Sequence, residues 1–192
     1  HRSFSHSLFV LPLLGTLIWW LYRRFGHGRV AQAPLRWWWA MVLALVTHPL
    51  LDAFTVYGTQ LWWPLMPHPT MWSSVFIIDP LYTLWLGLAC AVAWFARARP
   101  LAQRALVAGL VLSCGYLGWS LLAKHRVERD AGRALAAMGL ADAPRFSVPM
   151  PFNTLLYRVV AMTPQGYVVG DRSLWADRGP MRFTGHPSNV QA

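Results

Sequence analysis

Charge is the scarcest property of this chain. Only 12% of its 192 residues are Asp, Glu, Lys or Arg, about half the share usual in soluble globular domains. Acidic residues number seven and lysine occurs once, as Lys124, so the net charge of +10 is carried by arginine. Arginines clustered in short stretches beside apolar runs fit topology-setting loops and not a duplex-binding face, so no nucleic-acid partner is expected. Cysteine is scarce too. Cys90 and Cys114 each fall inside an apolar run, which argues against a disulfide and for two small packing residues. The sequence contains no glycine-rich phosphate loop, CxxC pair, HExxH or GxSxG. Dedicated nucleotide binding and serine-esterase chemistry are therefore disfavoured.

What the chain has in quantity is apolar and aromatic surface: 56% of it is hydrophobic, with 12 Trp. Four apolar runs stand out, Leu8–Tyr22, Trp37–Leu51, Leu81–Ala96 and Ala105–Ala123. A transmembrane helix needs about 20 apolar residues, and the first three runs approach this once flanking Ser, Thr, Trp and Tyr are counted. The expected architecture is an all-α integral membrane protein of four spans over residues 1–124. A small extramembrane α+β extension over residues 125–192 would follow, made of a helix, a hairpin and a loose tail after Asp177. The hairpin signal is Tyr157–Met162, a turn at Thr163-Pro164-Gln165-Gly166, and Tyr167-Val168-Val169. The first run lacks a basic leader and a cleavage site, so it reads as a membrane segment, and a further segment is expected upstream of His1.

Arg23, Arg24, Arg29 and Arg36 lie between the first two runs, and Arg97, Arg99 and Arg104 between the last two. Residues 53–76 contain no Lys or Arg at all. The positive-inside rule then places this middle connection, and the extension, on the extracytoplasmic side of a bacterial inner membrane. His1, His6, His48, Asp52 and Asp79 would share that outer face.

Chemistry concentrates there. His48 and Asp52 are four apart, so on a helix they lie on one face and can share an ion or a proton, although Pro49 between them marks a kink or the end of the helix. His1 and His6 converge on one ion if His1 sits on an extended lead-in. Ser5 or Ser7 can cap the first helix. Asp79-Pro80 has the form of an N-cap followed by proline at the first helical position, yet its carboxylate can also ligate. Lys124, Asn153 and Arg158 are candidate substrate contacts, Arg158 by a bidentate grip on phosphate or carboxylate. His27, His68, His125 and His186 form no pattern.

Together, His1-Arg2-Ser3-Phe4-Ser5-His6-Ser7, His48-Pro49-Leu50-Leu51-Asp52, Thr55-Val56-Tyr57-Gly58-Thr59-Gln60-Leu61-Trp62-Trp63-Pro64 and Ile78-Asp79-Pro80-Leu81-Tyr82-Thr83 resemble the LexA-regulated, membrane-bound metal-dependent hydrolase family. Pro151-Phe152-Asn153-Thr154-Leu155-Leu156-Tyr157-Arg158 resembles its longer members. The resemblance implies metal ligands at His1, His6, His48 and Asp52, with Asp79 as a further candidate. Ser3 stands where that family usually has Gly, and no match to its upstream Pro-Asp-Leu-Asp type acidic motif is present. The imidazoles favour zinc as the divalent ion, and a site at a membrane face favours a lipid or phosphoester substrate. The competing expectation is a non-enzymatic membrane protein, structural, stress-response or transport, with a His/Asp ion-binding cluster. Oligomeric state is not encoded in these patterns.

Overall fold

The computed structural model describes residues 3–26, 28–65, 68–97 and 99–188. By contacts the chain forms two compact units, His1–Trp72 and Ser73–Ala192, so the division by contacts does not follow the change in polarity at residue 124.

The first unit begins with a 3-10 turn, Phe4–His6, followed by helices α1 (Val10–Phe25), α2 (Arg29–Gln32) and α3 (Pro34–Ala53). Ser7 starts α1: its hydroxyl accepts from the backbone N–H of Phe9 and Val10, satisfying donors that a helix start leaves without partners. Arg23 and Arg24 close α1, where positive charge complements the helix dipole. The two long helices approach closely because Gly15 has no side chain; a Cβ there would lie 3.1 Å from both Cα and Cγ2 of Val42. Indole donors tie the pair further, Trp19 Nε1 to the Pro34 carbonyl at 2.7 Å and Trp38 Nε1 to Thr16 Oγ1 at 3.0 Å. Beyond α3 the chain doubles back through paired Thr59 and Thr70, each donating to the other's carbonyl at 2.9 Å.

The second unit contains α4 (Pro80–Ala96), α5 (Pro100–Ala137) and an antiparallel sheet of β1 (Arg145–Pro149), β2 (Leu156–Thr163), β3 (Gly166–Ser173) and β4 (Thr184–Pro187), in that spatial order. Small residues let α4 and α5 meet: a Cβ on Gly109 would fall 2.4 Å from Ala89 Cβ and 2.8 Å from the Trp85 carbonyl oxygen. Further along α5, Ala123, Val127, Ala131 and Leu135 recur every four residues and are fully buried. Tyr157, Val159 and Ala161 on β2 are buried as well, and the alternation puts them on one face of the sheet. These residues, with Val168 and Met181, form the unit's core. Helix α5 thus runs without interruption from an apolar half to a half that carries a sheet.

The protein is not a four-span all-α membrane protein: the described residues form five α-helices, a 3-10 turn and a four-stranded sheet. Among the described residues one helix, Pro100–Ala137, is long and apolar enough to cross a membrane, and Pro80–Ala96 is apolar but shorter. The 16 residues of α1 span about 24 Å at 1.5 Å per residue, short of a hydrocarbon core of about 30 Å. The 20 residues of α3 suffice in length, but Arg36, three tryptophans, Thr47, His48, Pro49 and Asp52 lower its hydropathy. The tail is not wholly loose, since β4 pairs with β3 from Gly166↔Pro187 to Val169↔Thr184. Cys90 and Cys114 are free thiols and exposed on their helices, not packed inside them.

Candidate metal centre

Helix α3 continues through Pro49 to Ala53. Pro49 lies inside the helix, where it cannot donate to the Leu45 carbonyl, and its ring is buried. His48 and Asp52 therefore do share one helical face, with His48 Nε2 3.9 Å from Asp52 Oδ2. His6 comes from the 3-10 turn before α1 and places Nε2 3.3 Å from the same carboxylate oxygen. The two imidazole rings lie 5.2 Å apart, centre to centre, inclined at 45°. One ligand atom from each of His6, His48 and Asp52 can be chosen so that all three lie within 4.8 Å of one another. His6 and Asp52 are largely covered, whereas 65% of the His48 side chain is exposed, so the cluster opens on the His48 side.

The approach of His6 depends on residues without chemistry of their own. Ser7, fully buried, donates its hydroxyl to the Trp63 carbonyl at 2.6 Å, and Leu8 N–H donates to the Leu61 carbonyl at 2.9 Å. These bonds pin the lead-in against the segment after α3. Ser5 Oγ lies 2.9 Å from His6 Nδ1, which holds the ring with Nε2 toward Asp52. At the other wall, Thr55 donates its N–H and its hydroxyl to the Asp52 carbonyl, at 3.0 and 2.7 Å, and fixes the end of α3. Ser7 could be read from the sequence as a cap. Its second bond, 56 positions away, carries no local signal.

The other predicted residues fall elsewhere. His1 lies outside the described residues. Asp79 belongs to the second unit and is 3% exposed. Its Oδ1 accepts from the N–H groups of Leu81 and Tyr82, as expected of an N-cap, and its Oδ2 accepts the Tyr116 hydroxyl proton at 2.7 Å. Lys124 donates through Nζ to the carbonyls of Ser73 and Ser147. Asn153 shapes a turn, accepting from Leu155 and Leu156 N–H through Oδ1. Arg158 forms a bidentate pair with Asp171 across β2 and β3, both bonds 2.8 Å, so its fork is engaged by a carboxylate of the same sheet.

A family model described as YdjM inner membrane protein matches residues 1–127. That range includes the whole His6, His48, Asp52 cluster and ends before the sheet. No curated protein and no solved structure matches the chain.

Proposed function

Because the chain belongs to the YdjM inner membrane protein family, we propose that it is a membrane-bound hydrolase that holds a divalent metal ion on His6, His48 and Asp52. The observation that carries this reading is the meeting of three ligand atoms within 4.8 Å, with His6 arriving from more than 40 positions before the His48 and Asp52 pair in sequence. The donor set fits zinc: two imidazole nitrogens and one carboxylate oxygen are its usual partners, and a three-residue site leaves a position open for water or substrate. Tetrahedral binding at about 2.0–2.1 Å calls for donors roughly 3.4 Å apart. The His6–Asp52 separation of 3.3 Å already satisfies this, and the His48–Asp52 separation of 3.9 Å needs a small side-chain adjustment.

The ion's contribution would be to lower the pKa of a coordinated water toward neutrality, the chemistry of hydrolytic zinc sites. The chain's own residues do the rest. Asp52 offers Oδ2 to both imidazoles, Ser5 orients His6 through the far ring nitrogen, and the exposed edge of His48 leaves the approach to the site open. His1 extends the donor set in this reading. An ester or phosphoester of a lipid is the substrate class, supported by the chain's place in a family of inner membrane proteins. The absence of Lys and Arg from residues 53–76 supports an extracytoplasmic site.

Elemental analysis of the purified full chain tests the proposal beside His48→Ala and Asp52→Ala. The expected outcome is about one zinc per chain in wild type and loss of most of it in Asp52→Ala. A wild-type chain that binds no divalent metal sinks the reading and leaves His6–Asp52 as a polar contact tying the lead-in to α3. Stoichiometric metal without metal-dependent cleavage of phosphoester or lipid substrates would favour the non-enzymatic alternative, an ion-binding membrane protein.

A further inference from the structure

A second constellation lies in the other unit. Arg126, Arg129 and Arg133 project from neighbouring positions of α5, spaced so that they share a face. Arg172 at the end of β3 faces them across a cleft of about 290 Å³, completed by Asp130, Leu174 and Asp177. Four guanidinium groups meet two carboxylates, leaving an excess of two positive charges. The carboxylates are already committed. Asp130 bridges Arg133 at 2.5 Å and Arg172 at 2.8 Å, and Asp177 accepts the Ser173 N–H at 2.8 Å. Among the described residues Arg126 and Arg129 make no ion pair.

Arg172 supplies an independent sign of a missing acceptor. Its Nη1 donates to the Gly179 carbonyl and its Nη2 to Asp130, but its Nε is buried with no hydrogen-bond partner. A buried guanidinium N–H without an acceptor is costly, and a rotation of the Arg172 side chain toward an oxyanion in the cleft would relieve it. Planar guanidinium forks match phosphate oxygens in pairs, which solvated lysines would not do. The location narrows the source of the phosphate. The apolar stretch of α5 ends at Ala123, so at about 1.5 Å per residue Arg126 and Arg129 stand roughly 4.5 and 9 Å beyond it, the depth of a lipid headgroup layer.

We propose that the cleft between α5 and the end of β3 binds a phosphate group at the membrane surface, with Arg126 and Arg129 as its free ligands and Arg172 as its buried one. Anionic phospholipids and soluble phosphomonoesters share this chemistry. The full chain is reconstituted in nanodiscs of phosphatidylcholine, with or without phosphatidylglycerol, and lipid retention is read by native mass spectrometry. A parallel arm titrates sn-glycerol 3-phosphate into the phosphatidylcholine discs by calorimetry. R126Q/R129Q removes the two unpaired arginines, and R23Q/R24Q removes the same charge from the end of α1 as a control. The expected result is at least tenfold preferential retention of phosphatidylglycerol by wild type and by R23Q/R24Q, and loss of that preference in R126Q/R129Q. Saturable binding of glycerol 3-phosphate that R126Q/R129Q abolishes assigns the cleft to soluble phosphate and equally supports it. Binding in neither arm that depends on Arg126 and Arg129, or an equal loss in R23Q/R24Q, overturns the proposal.

Discussion

At the scale of single residues, the same amino acid type serves opposite ends depending on its partners. Among the described residues Arg158 is one of four arginines, with Arg133, Arg145 and Arg172, that pair with carboxylates of their own unit. Its hydrogen bonds, before any Coulomb effect, hold the Asp171 carboxyl below its ordinary value. The lowered value fixes the sign of the pH dependence. The pair's contribution is complete above the unfolded pKa of Asp171 and disappears as pH falls through the lower folded value. Both side chains are nearly half exposed, so the effect is small and weakens with salt. Asp171→Asn should flatten the decline in Tm between neutral pH and pH 3, and added salt should shrink the difference between the two proteins. Ser7 has a larger structural role, since it holds the turn that delivers His6. Ser7→Ala removes a cap and a long-range bond at once, which together are worth about 1–3 kcal/mol. Thermal unfolding and zinc content should both fall, although no ligand has been touched.

At the scale of elements, packing follows from residues that are small or absent. Gly109 allows α4 against α5 because a Cβ there has no space on either side, backbone oxygen or methyl. Gly109→Ala should therefore lower stability by about 1–3 kcal/mol as the helices are forced apart, read as a drop in Tm of the detergent-solubilised chain. Leu135→Ala at the sheet end should cost about 2–5 kcal/mol, the price of an unfilled site at a fully buried position.

Much of this level could be read in advance. Three apolar runs lie within α3, α4 and α5 and the first coincides with α1 from Val10 on, Asp79-Pro80 does begin α4, and the Thr163–Gly166 turn does join β2 to β3. What could not be read depended on partners distant in sequence. Thr184–Pro187 has four exposed residues and no apolar alternation, so its strand character comes from the free edge of β3. Pro49 signalled an ending that α3 does not make, since its last turns are held by Thr55 and by Trp72 N–H on the Ala53 carbonyl at 2.7 Å. The pairing of His48 with Asp52 was visible as spacing. The arrival of His6 was visible only as a conditional, because it needs the contacts of Ser7 and Leu8 with Trp63 and Leu61. Composition overstates the number of spans because α1 and α4 end short of a full crossing, and because the tryptophans of α3 count as apolar but contribute little to membrane hydropathy.

At the scale of the whole molecule, the outward surfaces of the helices are apolar to a degree water does not favour. Leu13 is 71% exposed, Leu122 62%, Trp94 79% and Phe95 83%. Patches of this kind mark contact with lipid or protein, in keeping with a family of inner membrane proteins. Cys90 and Cys114 provide a direct measure of that cover. A maleimide reacts with the thiolate, which forms in water and not in hydrocarbon. Both cysteines should stay unmodified by a polar maleimide in intact membranes and react after solubilisation and unfolding, whereas Trp175→Cys, at a position 85% exposed beyond β3, should react with the membrane intact. Equal labelling of all three positions in membranes would contradict lipid cover of α4 and α5.

The continuity of α5 has a mechanical consequence. Its 38 residues form a rod about 57 Å long, and a pivot of roughly 5° at its proline-capped start sweeps the far end through about 5 Å. The sheet is fastened to that far end by Val127, Ala131 and Leu135 and must travel with it. Were α5 to cross a bilayer, where thickness alters the lean of a spanning helix, the same tilt would carry the sheet and the arginine-lined cleft sideways together.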